Sequence, residues 1–390
     1  MQPRPVVHIA WLGKKSPFCG NVTYGLSTTA ALRDLGHTVS FIHFDTPAGL
    51  GRQEQGRSET PEVTLPYLVK SQVYTIPSPG AQRELRESLE RLRPDLVHAS
   101  LTLSPLDFRL PDLCQQLGLP LVATFHPPFD AGLRNLTAGT QQLTYQLYAP
   151  SLARFDRVIV FSELQAEVLE RLGVRRDRLA VIPNGVDIST WCPATNPARS
   201  DLADLRQRFG QRRVFLYMGR VATEKNVEAL LRAWRLVRPR GCVLVIVGDG
   251  PLRGSLQNAN EDDVIWWGYE ARQEQKVALM QLAEVFLLPS LVEGLSLALL
   301  EAMACGTACV ATDAGADGEV LEGGAGIVIS TQGVTTQLRT LLPVLRDQPV
   351  LTAELGRRAR ERTLERYTLT RNIDSLERLY AELTRQPMAA

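Results

Sequence analysis

The chain lacks an excess of either charge. Its 43 lysines and arginines balance 42 aspartates and glutamates, leaving a net charge of +1 over 390 residues. Such balance gives no global pull toward nucleic acid or an anionic membrane, although a local patch is compatible with either. No run approaches 18 consecutive apolar residues, which excludes a spanning helix. The opening MQPRPVVHIAWLG has no long apolar core of a secretory signal, so a cytoplasmic protein, or one peripheral on a membrane surface, is expected. Cysteine is sparse and scattered, at Cys19, Cys114, Cys192, Cys242, Cys305 and Cys309. Cys305 and Cys309 lie close, but no second cysteine or histidine cluster completes a metal site. Cys242, Cys305 and Cys309 stand in apolar strand or helix-end contexts and read as buried, reduced thiols. No G-x-G-x-x-G follows the first strand, which argues against a dinucleotide dehydrogenase. There is no Asp-x-Asp pair for a metal, and no repeat or low-complexity tract.

What is present is the make-up of an ordinary soluble protein, 44% hydrophobic and 22% charged, in a chain long enough for two domains. Short apolar runs alternate with amphipathic stretches, the pattern of parallel sheets with crossover helices. In the first half, strands are expected at Val6–Leu12, Thr38–Phe44, Asp95–His98, Leu121–Phe125, Arg157–Phe161 and Leu179–Ile182. Helices are expected near 22–35, 81–92, 138–153 and 162–172, and a loop over Asp45–Glu62. A second series places strands at Val214–Met218, Val243–Val247, Val264–Trp267, Val285–Leu288, Ala308–Ala311 and Gly326–Ile329, with an Arg-rich helical segment over about 350–385. The turn-rich stretch NGVDISTWCPATNPARS separates the two. The fold class expected is α/β, with two Rossmann-like domains facing each other across a cleft at their strand ends. The domains run over 1–187 and 201–366, with a linker at 188–200.

The most informative segment is LLPSLVEGLSLALLEAMACGTACVAT, where seven residues separate Glu293 from Glu301. An apolar strand closes into a loop at Pro289, Gly294 lets backbone approach a ligand, and Ser296 caps a helix running to about Ala304. The unpaired amides and dipole at that start suit an anion such as a diphosphate. Glu293 lies beside the anion, and Glu301 reaches the hydroxyls of a sugar or ribose. On spacing alone, a surface helix with two solvated glutamates explains the pair equally well. In YMGRVATEKN, Arg220 and Lys225 flank a strand end and a helix expected to begin near Glu224, where they suit a diphosphate. In VLVIVGDGPLRGSL, the turn from Gly248 to Pro251 reads as a tight strand-to-helix connection or as part of a nucleotide cleft. His126 ends a strand before two prolines, and Gly20 lies in the loop after the first strand, just before a helix expected to open near Asn21. Lys14 and Lys15 in that loop read as solvated, or as partners for an anionic acceptor.

Together these ordered segments resemble the retaining glycosyltransferases of family 4 with the GT-B fold (glycogen synthase-like, glycosyl transferases group 1), over nearly the whole chain. The resemblance implies transfer of a hexose from a nucleotide-sugar, with no metal and no other cofactor. It implies catalytic roles for His126, Glu293, Arg220 and Lys225. Donor contacts fall to Gly20, Arg220, Lys225, Gly248, Gly268, Tyr269, Glu293, Gly294, Leu295, Ser296, Leu297 and Glu301, with VIWWGYE near the base. Ser162, and Asn184, Gly185 and Asp187 of PNGVD, are read as architectural. The final helix, 367–390, is expected to cross back to the N-terminal domain. Two departures stand out: Asn226 follows Lys225 where the family often has glycine, and Asn21 replaces the second of two glycines. The motifs AWLGKKSPFCGNVTY and ASLTLSPLDF resemble the digalactosyldiacylglycerol synthase type, which implies UDP-galactose as donor and monogalactosyldiacylglycerol as acceptor. Residues 97–110 and 126–150, including Arg134, would form the acceptor wall or a membrane-facing surface. A soluble or polyprenyl-linked sugar acceptor is the alternative. An epimerase or a non-catalytic sugar-nucleotide-binding regulator shares the architecture; five scattered histidines argue against the first, and the intact ligand set against the second. No nucleic-acid partner is expected.

Overall fold

The computed structural model describes residues 6–16, 19–45, 62–71, 74–129, 136–196, 199–257 and 261–385. The chain divides into two compact units. The first comprises Met1–Pro127, Leu143–Pro183 and Asn372–Ala390; the second comprises Pro128–Gln142 and Asn184–Arg371.

The strands of the first unit are β1 (His8–Leu12), β2 (Thr38–Phe44), β3 (Glu62–Leu65), β4 (Tyr67–Lys70), β5 (Thr75–Pro77), β6 (Leu96–Ser100), β7 (Leu121–Thr124), β8 (Arg157–Val160) and β9 (Leu179–Val181). Seven form a parallel sheet in the order β3-β2-β1-β6-β7-β8-β9, while β4 and β5 pair as an antiparallel hairpin. β6 and β7 are buried at every position, the mark of a sheet covered on both faces. Order reverses between β1 and β6, so the loops that leave those strands diverge and open a crevice at their carboxyl ends. Residues 372–385 lie in helix Leu369–Arg385, whose Ile373, Leu376, Tyr380 and Leu383 are buried. The Tyr380 hydroxyl meets His98 Nδ1 at 2.5 Å, and Glu377 meets His37 at 3.0 Å, joining this helix to the first unit's sheet.

The second unit carries β10 (Arg213–Met218), β11 (Cys242–Val247), β12 (Val264–Gly268), β13 (Val285–Leu288), β14 (Ala308–Thr312) and β15 (Ile327–Ile329). All pair in parallel, in the order β12-β11-β10-β13-β14-β15. Chain order runs one way from β10 and the other way from β13, so the switch point lies between their carboxyl ends. Arg220 and Lys225 follow β10, and Glu293 follows β13. The α/β class with parallel sheets is thus as expected, and Thr38–Phe44 and Val285–Leu288 match their expected bounds.

Some local expectations are corrected. Glu62 opens β3 and does not end a loop, while residues 46–61 lie outside the described residues, as does Arg134. The segment after Arg220 is a 3-10 turn at Thr223–Lys225, and the helix begins only at Val227, because Asn226 takes a left-handed φ of 52°. Cys242, Cys305 and Cys309 are buried, as their apolar surroundings implied.

Candidate functional site

In the second unit, two loops are tied together by backbone and side-chain hydrogen bonds. The Leu291 amide donates to the Glu224 carbonyl at 2.8 Å, and Asn226 Nδ2 to the Pro289 carbonyl at 3.2 Å. These bonds bring the turn after β10 against the loop after β13. As a result Lys225 Nζ stands 2.5 Å from Glu293 Oε1, which also accepts the Ser290 hydroxyl at 2.7 Å. Burial works against the charge on Lys225, but the adjacent Glu293 carboxylate outweighs it and holds the ammonium above its usual range. The left-handed backbone at Asn226 explains why glycine or asparagine serves at this position: both tolerate it, and Asn226 adds a bond to β13's loop.

The helix Leu297–Ala304 begins as the sequence predicts. Ser296 is its N-cap, and its hydroxyl accepts the Leu299 amide at 3.3 Å. The amides of Leu297 and Ala298 have no intrahelical acceptor, so the helix start presents donors for an anion. Leu295 is buried, with its carbonyl accepting Asn184 Nδ2 at 3.0 Å, so only its backbone is available to a ligand. Glu301 lies one turn further along, and burial lifts its carboxyl to about 8.

Arg220 forms an ion pair with Glu224 at 2.9 Å, and its carbonyl accepts the buried Tyr217 hydroxyl at 2.7 Å. The Gly248–Gly250 turn packs flat on the same loop. A Cβ at Gly248 would lie 1.9 Å from the Gly219 carbonyl oxygen, and one at Gly250 2.3 Å from that of Val221. Those glycines are required by backbone contact before any ligand is considered, which favours the architectural reading of this turn. Gly268, at φ 89°, ends β12, and its carbonyl accepts the Gly248 amide at 2.8 Å. Tyr269 follows with its side chain 61% exposed.

In the first unit, Gly20 is the first residue of helix Gly20–Asp34, and a Cβ there would meet nothing within 4 Å. His126 stands two residues beyond β7. Its Nε2 is 2.8 Å from the Ser100 hydroxyl, which donates to Asn21 Oδ1 at 2.8 Å; Asn21 Nδ2 donates in turn to the Leu101 carbonyl at 3.0 Å. With the Ser100 proton given to Asn21, His126 Nε2 carries a proton and Nδ1 is left as an acceptor. Burial, reinforced by Lys14, lowers His126 to about 3, so the imidazole is neutral. Asn21 thus anchors the loop by side-chain bonds where a second glycine was expected.

Sequence reasoning missed Ser290, Tyr217, Phe129 and Asp317. Phe129, which groups with the second unit, donates its amide to the Glu293 carbonyl at 2.8 Å. Asp317 Oδ1 accepts the Ser296 amide at 2.9 Å. The acidic residues in TDAGADGE directly after β14 were the one available signal. No group of three or more His, Cys, Asp or Glu side chains that could hold a metal ion occurs among the described residues. Gly185 is confined by the chain, since a Cβ would lie 2.6 Å from Leu369 Cα.

Residues 20–190 match the family described as Glycosyltransferase Family 4, and residues 212–347 match Glycosyl transferases group 1. The chain is 28% identical over 287 residues to the alpha-maltose-1-phosphate synthase of Mycolicibacterium smegmatis, covering 68% of this chain and 74% of that one. It is 28% identical over 302 residues to the GDP-mannose-dependent alpha-(1-6)-phosphatidylinositol dimannoside mannosyltransferase of Mycobacterium tuberculosis, covering 75% of each. Among solved structures, Anabaena HepE in complex with UDP superimposes with a TM-score of 0.74 at 18% identity, over 96% of this chain and 99% of that one. The two matched families follow one another in the order of the two units and together take in most of the sequence, so the chain belongs to the GT-B glycosyltransferases, with a family 4 domain followed by a group 1 domain.

Proposed function

We propose that this glycosyltransferase moves a hexose from a UDP-sugar to a hydroxyl of a lipid-borne sugar, with retention of configuration and without a metal ion. The observation that carries the donor assignment is the Lys225–Glu293 pair set at the open amides of helix Leu297–Ala304. Lys225, Arg220 and those amides supply the positive field that a metal would otherwise bring to the diphosphate. Glu293 positions sugar hydroxyls, and Glu301 takes the ribose. The bond from the anomeric carbon to the diphosphate oxygen breaks, and the acceptor oxygen bonds to that carbon from the same face. The acceptor's proton passes to the leaving diphosphate.

The lipid acceptor is supported by two observations. The hairpin β4–β5 exposes Leu68, Val69, Tyr74 and Ile76, an apolar surface on the first unit. The mycobacterial mannosyltransferase similar to this chain acts, by its name, on a phosphatidylinositol glycolipid. No helix among the described residues is long and apolar enough to cross a membrane, so contact with lipid would be peripheral. The narrower pair, UDP-galactose and monogalactosyldiacylglycerol, rests on the two N-terminal motifs alone. The relatives named above are not of that type.

Mass-spectrometric product analysis with a panel of UDP- and GDP-sugars tests the reading. Each donor is offered with monogalactosyldiacylglycerol, a phosphatidylinositol mannoside or a soluble disaccharide, with and without EDTA. Glycosylated lipid formed despite EDTA is the predicted result. Transfer only to the soluble acceptor, or activity abolished by EDTA and restored by a divalent cation, would overturn the acceptor or the metal assignment respectively.

A further inference from the structure

Beyond β14 the chain turns sharply and delivers Asp317 to the start of helix Leu297–Ala304. A Cβ on Gly315 would lie 2.0 Å from the Glu293 carbonyl oxygen, and the Ala316 amide donates to the Gly294 carbonyl at 2.8 Å. This turn is therefore pressed onto the backbone that carries Glu293. Asp317 is 0% exposed. Its Oδ1 accepts the Ser296 amide, while its Oδ2 is buried without a hydrogen-bond partner. The charged side chains acting on it are Glu293, which opposes a negative charge, and Lys225, which favours one. Lys225 is already paired with Glu293 at 2.5 Å. Two carboxyl groups thus act on one ammonium, with Asp317 fully buried and Lys225 partly exposed. The second carboxyl must carry either an uncompensated buried charge or a proton.

We infer that Asp317 is a positioning residue of the donor site: a neutral carboxylic acid whose proton lets the nucleotide's diphosphate settle at the start of helix Leu297–Ala304. This rests on reading that helix start as the diphosphate site. Burial, and then Glu293, push the Asp317 carboxyl well above its ordinary value. With Oδ1 occupied by the Ser296 amide, the proton resides on Oδ2 and makes it a buried donor. In that state Lys225, Glu293 and Asp317 sum to zero charge, and the helix amides favour an anion. Loss of the proton leaves a net negative cluster facing a negative ligand. Among the described residues, Glu224, which is paired with Arg220, and Tyr217 also lie near the Lys225–Glu293 pair, and burial raises the Tyr217 hydroxyl well above its usual range, so it stays neutral.

The test is calorimetric titration of UDP and GDP into the full chain and its Asp317→Asn variant from pH 6.5 to 9.5. Asparagine keeps the acceptor for the Ser296 amide and has no proton to lose. Wild-type affinity should fall, approaching tenfold per pH unit once Asp317 ionises, while the variant shows no such fall. The nucleotide's own titration is common to both, so the difference between slopes is the readout. Superimposable slopes with nucleotide bound by both would overturn this inference and leave the donor site standing. If neither protein binds UDP or GDP at any pH, the donor-site reading fails, and thermal melting decides the state of Asp317 separately. A proton held in the folded state and lost near pH 4 in the unfolded chain makes wild-type stability fall, relative to Asp317→Asn, as pH rises from 4 toward the folded value. A melting difference independent of pH would show that Asp317 is not a buried neutral acid.

Discussion

Lys225 and Glu293, 68 residues apart in sequence, meet at 2.5 Å because the turn after β10 is tied to the loop after β13 through Leu291, Glu224, Asn226 and Pro289. The pair joins the two strands between which the sheet order reverses. It is both a fastening between loops and the charged floor of the proposed donor site.

Removing one partner should therefore affect binding more than it unfolds the protein. Lys225→Ala is expected to lower turnover about 100- to 1,000-fold, corresponding to roughly 2.7–4 kcal/mol of lost charge stabilisation. Glu293→Gln should be milder, since the amide still accepts a hydrogen bond from Ser290 or Lys225. Steady-state kinetics with the preferred donor, beside melting curves, separates the two effects.

Glycines at the site should divide into two kinds. Gly248→Ala forces a Cβ to 1.9 Å from the Gly219 carbonyl at a φ of 132°, and should lower the melting temperature by several degrees. Gly20→Ala meets nothing within 4 Å and should leave melting unchanged while weakening transfer, if backbone at Gly20 approaches a ligand. Loss of stability in the second variant, or none in the first, would contradict this division.

Acid should destabilise the first unit through its histidines. Burial lowers His98 and His126 to about 3, so both are neutral in the fold across the physiological range. The unfolded chain protonates them near 6.5, so it binds more protons and stability falls as pH drops below that value. The loss approaches roughly 1.4 kcal/mol per pH unit for each histidine. Denaturant melts of wild type and His126→Gln between pH 7 and 5 should show a shallower slope in the variant. Activity should show no ionisation of His126 near pH 6.5.

Position 226 offers a backbone test. The left-handed φ of 52° predicts that Asn226→Ala loses the bond to Pro289 and about 1 kcal/mol more to backbone strain, while Asn226→Gly loses only the bond. Equal stability of the two variants, measured by denaturant unfolding, would contradict the account of that turn.

Much of the fold was legible because its signals are local. Apolar runs such as Thr38–Phe44 and Val285–Leu288 gave strands, and Ser296 before an apolar helix gave a cap that the structure contains. The hairpin β4–β5 was not legible: its apolar residues Leu68, Val69 and Ile76 are exposed, so no burial pattern marks it. Lys225 and Glu293 stood out as residues next to strand ends. Ser290 and Asp317 did not, because their importance comes from where long-range loop packing puts them. Asp317 lies 21 residues from Ser296 and reaches it only through the turn at Gly315, which no periodicity reports.

The most direct test of the central claim, that the start of helix Leu297–Ala304 beside Lys225 and Glu293 holds a nucleotide-sugar, is donor turnover. Release of UDP or GDP from a panel of sugar donors would be followed for wild type and Lys225→Ala, with folding of both checked by circular dichroism. The account predicts that wild type consumes at least one donor and that the folded variant consumes it at least about 100-fold more slowly. No donor consumed or bound by wild type, or equal turnover by the variant, would contradict it.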